Sequence, residues 1–136
     1  MGYKHSNELF FIAAFLTVIV IRSAIYLSRY FMPETHLVYK GYIIHHFWFG
    51  FIFILISLLV SSKYLKMKSI LLGAGFGPII DELVFMIYGG GGYSNYWSLP
   101  SVIGMMLCLI VVFVFRKRLS YLTEIDLKNK RNRIKN

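Results

Sequence analysis

Acidic residues and cysteine are scarce in this chain. Of its 136 residues six are acidic and one, Cys108, is a cysteine. A lone thiol inside an apolar run closes no intramolecular disulfide, and no Cys-x-x-Cys pair is present to bind a metal or cycle redox. Charged residues of either sign make up 15%, where soluble domains carry about 25%. In their place stand apolar residues, 57% of the chain, giving a mean hydropathy of +0.63. One small soluble core cannot absorb so much apolar surface, so the composition points to lipid as the main solvent. It also leaves no room for a soluble catalytic domain, because each spanning helix takes roughly 20 residues.

Four apolar segments follow, at about 9–32, 42–61, 70–88 and 97–115. The first stops at Pro33. It is longer than the h-region of a signal peptide and lacks a convincing cleavage site, which makes it an uncleaved span. The fold expected is an all-α, left-handed four-transmembrane-helix bundle over residues 1–118, with 119–136 as a basic tail.

Charge placement orients it. The 62–68 loop holds Lys63, Lys66 and Lys68 and no acid, and the stretch from Arg116 onward carries eight cations against Glu124 and Asp126. Glu34 and Lys40 offset each other in one remaining loop, and 89–98 is uncharged. The positive-inside rule then puts both chain ends and the lysine loop in the cytosol, with Tyr93, Tyr96 and Trp97 in an outer aromatic belt. The net charge of +9 serves as a topology anchor near anionic headgroups. Nucleic acid is not expected, since a recognised fold or stacking surface beside the charge is missing and only Tyr121 is aromatic there. The expected location is a prokaryotic plasma membrane, with lipids as partners.

Ionisable residues within the spans each cost several kcal/mol in hydrocarbon unless paired or hydrated. They are Arg22 and Arg29 in the first segment, His45 and His46 in the second, and Asp81 and Glu82 in the third. At 1.5 Å per residue Arg22 lies about 20 Å above the cytosolic end, the two acids about 16–18 Å and the two histidines about 25 Å. Three segments therefore bring their charges to similar heights. Arg22, Tyr26 and Arg29 form one stripe. Gly73, Gly77 and Asp81 form another, whose small residues let helices approach and turn Asp81 inward. His46 and Gly50 repeat that pattern. Adjacent residues on a helix diverge by about 100°, so His45 and Glu82 are expected to face differently from His46 and Asp81.

Three uses suit such a cluster. It can be an ion-pair network between Arg22 and the acids. It can be a metal site, where imidazole and carboxylate donors suit zinc or non-haem iron and a metal-bound water attacks a lipid or peptide bond. Neither His-x-x-x-His nor His-Glu-x-x-His is present to mark it. Or it can pass protons or ions. The leading expectation is a metal-dependent membrane enzyme. In it Asp81, Glu82, His45 and His46 are ligands or acid–base groups, Arg22 holds an anionic group or orients a carboxylate, and Tyr26 and Tyr88 are hydrogen-bond partners. A proton- or ion-coupled transporter is the rival. The thin polar lining of the cytosolic half, mainly Thr17, Ser57 and Cys108, favours a one-sided site. The run 73–78 lacks the strand and lysine of a phosphate loop and is expected to pack closely, with Pro78 kinking or breaking the helix. The glycines at 89–92 form a flexible outer loop. Remaining small-residue faces suggest a homodimer or higher oligomer.

The pair of signatures His45-His46-x-x-x-Gly50 and Gly75-x-Gly77-x-x-x-Asp81-Glu82 resembles that of small, uncharacterised four-helix membrane proteins of prokaryotes. The resemblance covers about the central third of the chain. It supports the choice of residues and implies no activity.

Orientation has a direct test. In a Cys108→Ser background, Ser94→Cys should react with a membrane-impermeant maleimide in intact cells, and Lys63→Cys only after permeabilisation. The reverse pattern would invert the topology.

Overall fold

A computed structural model describes residues 3–31, 38–39, 42–43, 45–88 and 92–121. It is helical apart from one two-residue ladder. Helix α1 is Tyr3–Phe31. Strands β1 (Val38–Tyr39) and β2 (Tyr42–Ile43) pair antiparallel. Then come α2 (Phe47–Leu59), a 3-10 turn (Ser62–Tyr64), α3 (Leu65–Ile87), a short α4 (Gly92–Tyr96) and α5 (Leu99–Tyr121). Among the described residues three stretches are long and apolar enough to cross a membrane: Ser6–Ser28, Leu65–Ile87 and Leu99–Leu119.

Several boundaries differ from the sequence pattern, each for a local reason. The segment expected at 42–61 is a helix only over 13 residues, about 20 Å, because its first residues pair as a strand. Helix α3 starts at Leu65, so Lys66 and Lys68 belong to the helix rather than to a loop, and Lys68 is buried. Pro78 neither breaks nor ends α3, which runs unbroken through it. The glycines at 89–91 and the tail from 122 lie outside the described residues, as do Glu34 and Lys40.

Contacts set the directions. Ser6 meets Ser69 at one end and Arg22 meets Asp81 at the other, so α1 and α3 run parallel. Helix α2 runs against them, with His46 at Asp81 and Ser57 donating to the Lys68 carbonyl. Helix α5 is also antiparallel, with Phe113 against Phe11. Helix α3 is the centre: half of its apolar window is buried, against 22% for those of α1 and α5. The other helices pack chiefly on it, and α5 also on α1.

Glycine makes that centrality possible at two crossings. Gly50 of α2 and Gly75 of α3 lie backbone to backbone, each where a Cβ would sit 2.6–2.7 Å from the other's carbonyl oxygen. Gly73 lies against the Phe10 carbonyl of α1. Beside these crossings Phe10, Val18, Leu72, Ile80, Met105 and Leu109 form an apolar core, with Phe76 edge-on to Phe10 at 5.5 Å.

Gly73→Ala should therefore destabilise the protein by about 1–3 kcal/mol through overpacking, although alanine favours helix. Gly104→Ala, which meets only the movable Val84 side chain, should cost less. Unfolding midpoints in mixed detergent micelles would show the order.

Candidate functional site

The polar residues gather at the end of α3. Asp81 and Glu82 are adjacent, so they leave the helix about 100° apart and serve different neighbours. Asp81 is wholly buried. Its Oδ1 accepts from Arg22 Nε at 2.6 Å, and its Oδ2 accepts from His46 Nε2 at 3.0 Å and from the Tyr96 hydroxyl. Glu82 turns to α2. Its Oε1 lies 2.5 Å from His45 Nδ1 and its Oε2 accepts from the Phe47 backbone N–H at 2.7 Å.

That last bond explains where α2 begins. The N-cap residue His46 makes no capping bond with its side chain. The first N–H groups of a helix have no partner inside it, and Glu82 supplies one from α3. A carboxylate also sits favourably at the positive end of the helix dipole.

Helical divergence is expected to separate His45 and Glu82 from His46 and Asp81, yet all four meet. His45 and His46 precede α2 instead of lying within it, so the 100° rule does not apply to them.

An ionised carboxylate only accepts hydrogen bonds. The ring nitrogens that meet the carboxylates are Nδ1 of His45 and Nε2 of His46. The other nitrogen of His46, Nδ1, lies 3.6 Å from Glu82 Oε2, beyond hydrogen-bond range. The two imidazoles are also the cluster's accessible members, with side chains 23% exposed against 3% or less for both acids.

Tyr96 is a member of the cluster that the sequence pattern places elsewhere, in an interfacial belt. It sits on α4, outside the membrane-length stretches, and is buried against Asp81. Burial, and then the Asp81 charge, push its hydroxyl up from the ordinary phenol value, so it keeps its proton and donates. The signal in the sequence was a tyrosine close after the helix that carries the acids, and the choice among Tyr88, Tyr93 and Tyr96 required the fold. Tyr88 stands exposed at the end of α3, and the Tyr26 hydroxyl pairs with Tyr30 at 3.1 Å. The side chain of Arg29 lies outside the described residues.

Arg22 is buried to 7% exposure, with its guanidinium carbon 4.6 Å from the Tyr96 ring centre and 5.1 Å from that of Trp97. Its Nη1 and Nη2 have no hydrogen-bond partner among the described residues.

No group of three or more His, Cys, Asp or Glu side chains among the described residues is disposed to hold a metal. Donors on one zinc, at bonds of about 2.0–2.2 Å, point at the ion. Here the imidazole nitrogens point at carboxylate oxygens 2.5–3.0 Å away and satisfy them directly. The metal expectation draws no support from this arrangement.

The fold and site together define a helical protein of membrane character with a buried ionisable cluster at one end. No family model, curated protein or solved structure matches the chain.

Removing one partner of a buried pair leaves a lone charge, so Asp81→Asn should cost about 3–5 kcal/mol. Tyr96→Phe removes one donor from an acid that keeps two and should cost about 1–3 kcal/mol. Denaturation of the two variants in mixed micelles would test the ranking, and equal losses would refute it.

Proposed function

We propose that the chain is a multi-pass membrane protein with four spans and both ends in the cytosol, and that its cluster is a one-sided acid–base centre acting on a lipid or peptide bond. Helix α2, at 13 residues, is the short fourth span, completed by the chain around the histidines. The observation that carries the chemistry is the double imidazole–carboxylate pairing: His46 with Asp81 and His45 with Glu82, the imidazoles alone partly exposed.

In this reading Asp81 fixes the His46 ring through Nε2 and leaves Nδ1 to act as the base. The ring takes a proton from water while the water oxygen attacks the carbonyl or phosphoryl centre. The protonated ring then returns that proton to the leaving oxygen or nitrogen, so atoms and charge balance. Arg22 and Tyr96 hold Asp81 in place.

The core beneath the cluster supports a site over a pathway. Val18, Ile80, Phe10 and Leu72 are closely packed between it and the lower polar layer, where Ser6 and Ser69 bond at 2.5 Å. Counted along α3 from Ser69 to Asp81, about 18 Å separates the two. A transporter needs a polar lining through that interval.

Purified protein assayed on ester-linked lipids and unfolded peptides should hydrolyse one class. His46→Ala should lower the rate about 100-fold or more, the usual contribution of a general base. Metal content is measured on the same samples by plasma mass spectrometry. Near-stoichiometric zinc or iron, lost in the variant, would replace acid–base action with metal-assisted hydrolysis. Proton flux in liposomes without hydrolysis would overturn the enzymatic reading.

A further inference from the structure

Between α1 and α5 a groove of about 630 Å³ opens on the outside of the helices. That volume is in the range of small-ligand pockets. Its walls are apolar, including Phe15, Ile19, Met105 and Leu109, and Arg22 with Trp97 lines its polar part. Along α1 it extends from Phe15 to Leu27, about 18 Å. One leaflet of a bilayer core is about 15 Å deep. The groove as a whole thus has the length of one leaflet's acyl layer, and Arg22 stands part-way along it, about 10 Å from Phe15.

That cation is built for an anion. Asp81 occupies the Nε edge of the Arg22 guanidinium, and the Nη1–Nη2 edge has no partner among the described residues although the side chain is more than nine-tenths buried. Two parallel N–H groups match two oxygens of a phosphate. A buried donor left unsatisfied is costly, which favours a ligand that satisfies both.

From these features we infer that the groove binds an anionic phospholipid, with its phosphate on the Nη edge of Arg22 and one acyl chain along Phe15, Ile19, Met105 and Leu109. The Trp97 ring packs over the guanidinium, so the headgroup reaches the fork when the indole swings aside. As the naming of a substrate class, this rests on the proposed acid–base function. As a binding site, it stands without turnover.

The test is native mass spectrometry of the full chain in neutral detergent with dipalmitoyl phosphatidylglycerol, dipalmitoyl phosphatidylcholine and glycerol 3-phosphate as probes. Phosphatidylglycerol should be retained at least about tenfold better than phosphatidylcholine, as expected when a desolvated cation meets a net anionic headgroup. Arg22→Gln should remove that preference. Ile19→Trp, which fills the groove at an exposed position away from the ion pairs, should remove it too and covers the case in which Arg22→Gln fails to fold. His46→Ala should keep it, and wild-type protein that retains the lipid without hydrolysing it would count against the acid–base reading alone. Equal retention of the two lipids, or wild-type retention in Ile19→Trp, would overturn the inference. Competition by glycerol 3-phosphate would place a small free phosphate there and overturn it as well.

Discussion

The architecture depends on the buried ion pair between Arg22 and Asp81. Neither charge is tolerable alone in so apolar a setting, and each is acceptable because the other lies 2.6 Å away. The pair fixes the lateral and axial position of α1 on α3. With that position fixed, Gly73 falls against Phe10, and Arg22 is set beneath the aromatic rings that join α3 to α5. Asp81 then collects two further donors, from the turn before α2 and from α4, so one carboxylate ties together most of the upper end.

Glu82 performs a second task from the next position. By accepting the first N–H of α2 it determines where that helix can start, while the Gly50–Gly75 crossing determines how close it lies. The two acids act as a branch point. One helix turn organises α1 and α4 on one side and α2 on the other, which is why α3 is the most buried element.

Much of this was legible in the sequence. Composition and apolar run length announce helices suited to lipid, and the depth count brings Arg22, His45, His46, Asp81 and Glu82 together without any coordinates. The small-residue spacing of Gly73 and Gly77 correctly turns Asp81 inward, since four residues along a helix return to the same face. What failed was the assumption that an apolar run is helical throughout. Tyr42 and Ile43 pair with Val38 and Tyr39, a contact that apolar periodicity does not encode, and this frees the histidines from helical geometry. Pro78 does not break the helix, because a proline's lost bond is tolerable where neighbours pack tightly around it. Tyr96 was hidden because a tyrosine in a loop looks the same whether it meets headgroups or folds back on an acid. The chemistry itself was least legible: donor types suggest a metal, and only their orientation shows that they answer one another.

The span between Arg22 and Asp81 along the chain, 59 residues, bears on biogenesis. At about 5–20 residues per second, Asp81 leaves the ribosome about 3–12 s after Arg22. During that interval the first helix carries a cation whose eventual counter-charge has not been made, and the two histidines wait with it. The first helix is therefore without its counter-charge until the third has been made. The contact that seats it on α3 can close only after both partners have been synthesised, so the pairing belongs to the middle of the chain's synthesis and not to its start.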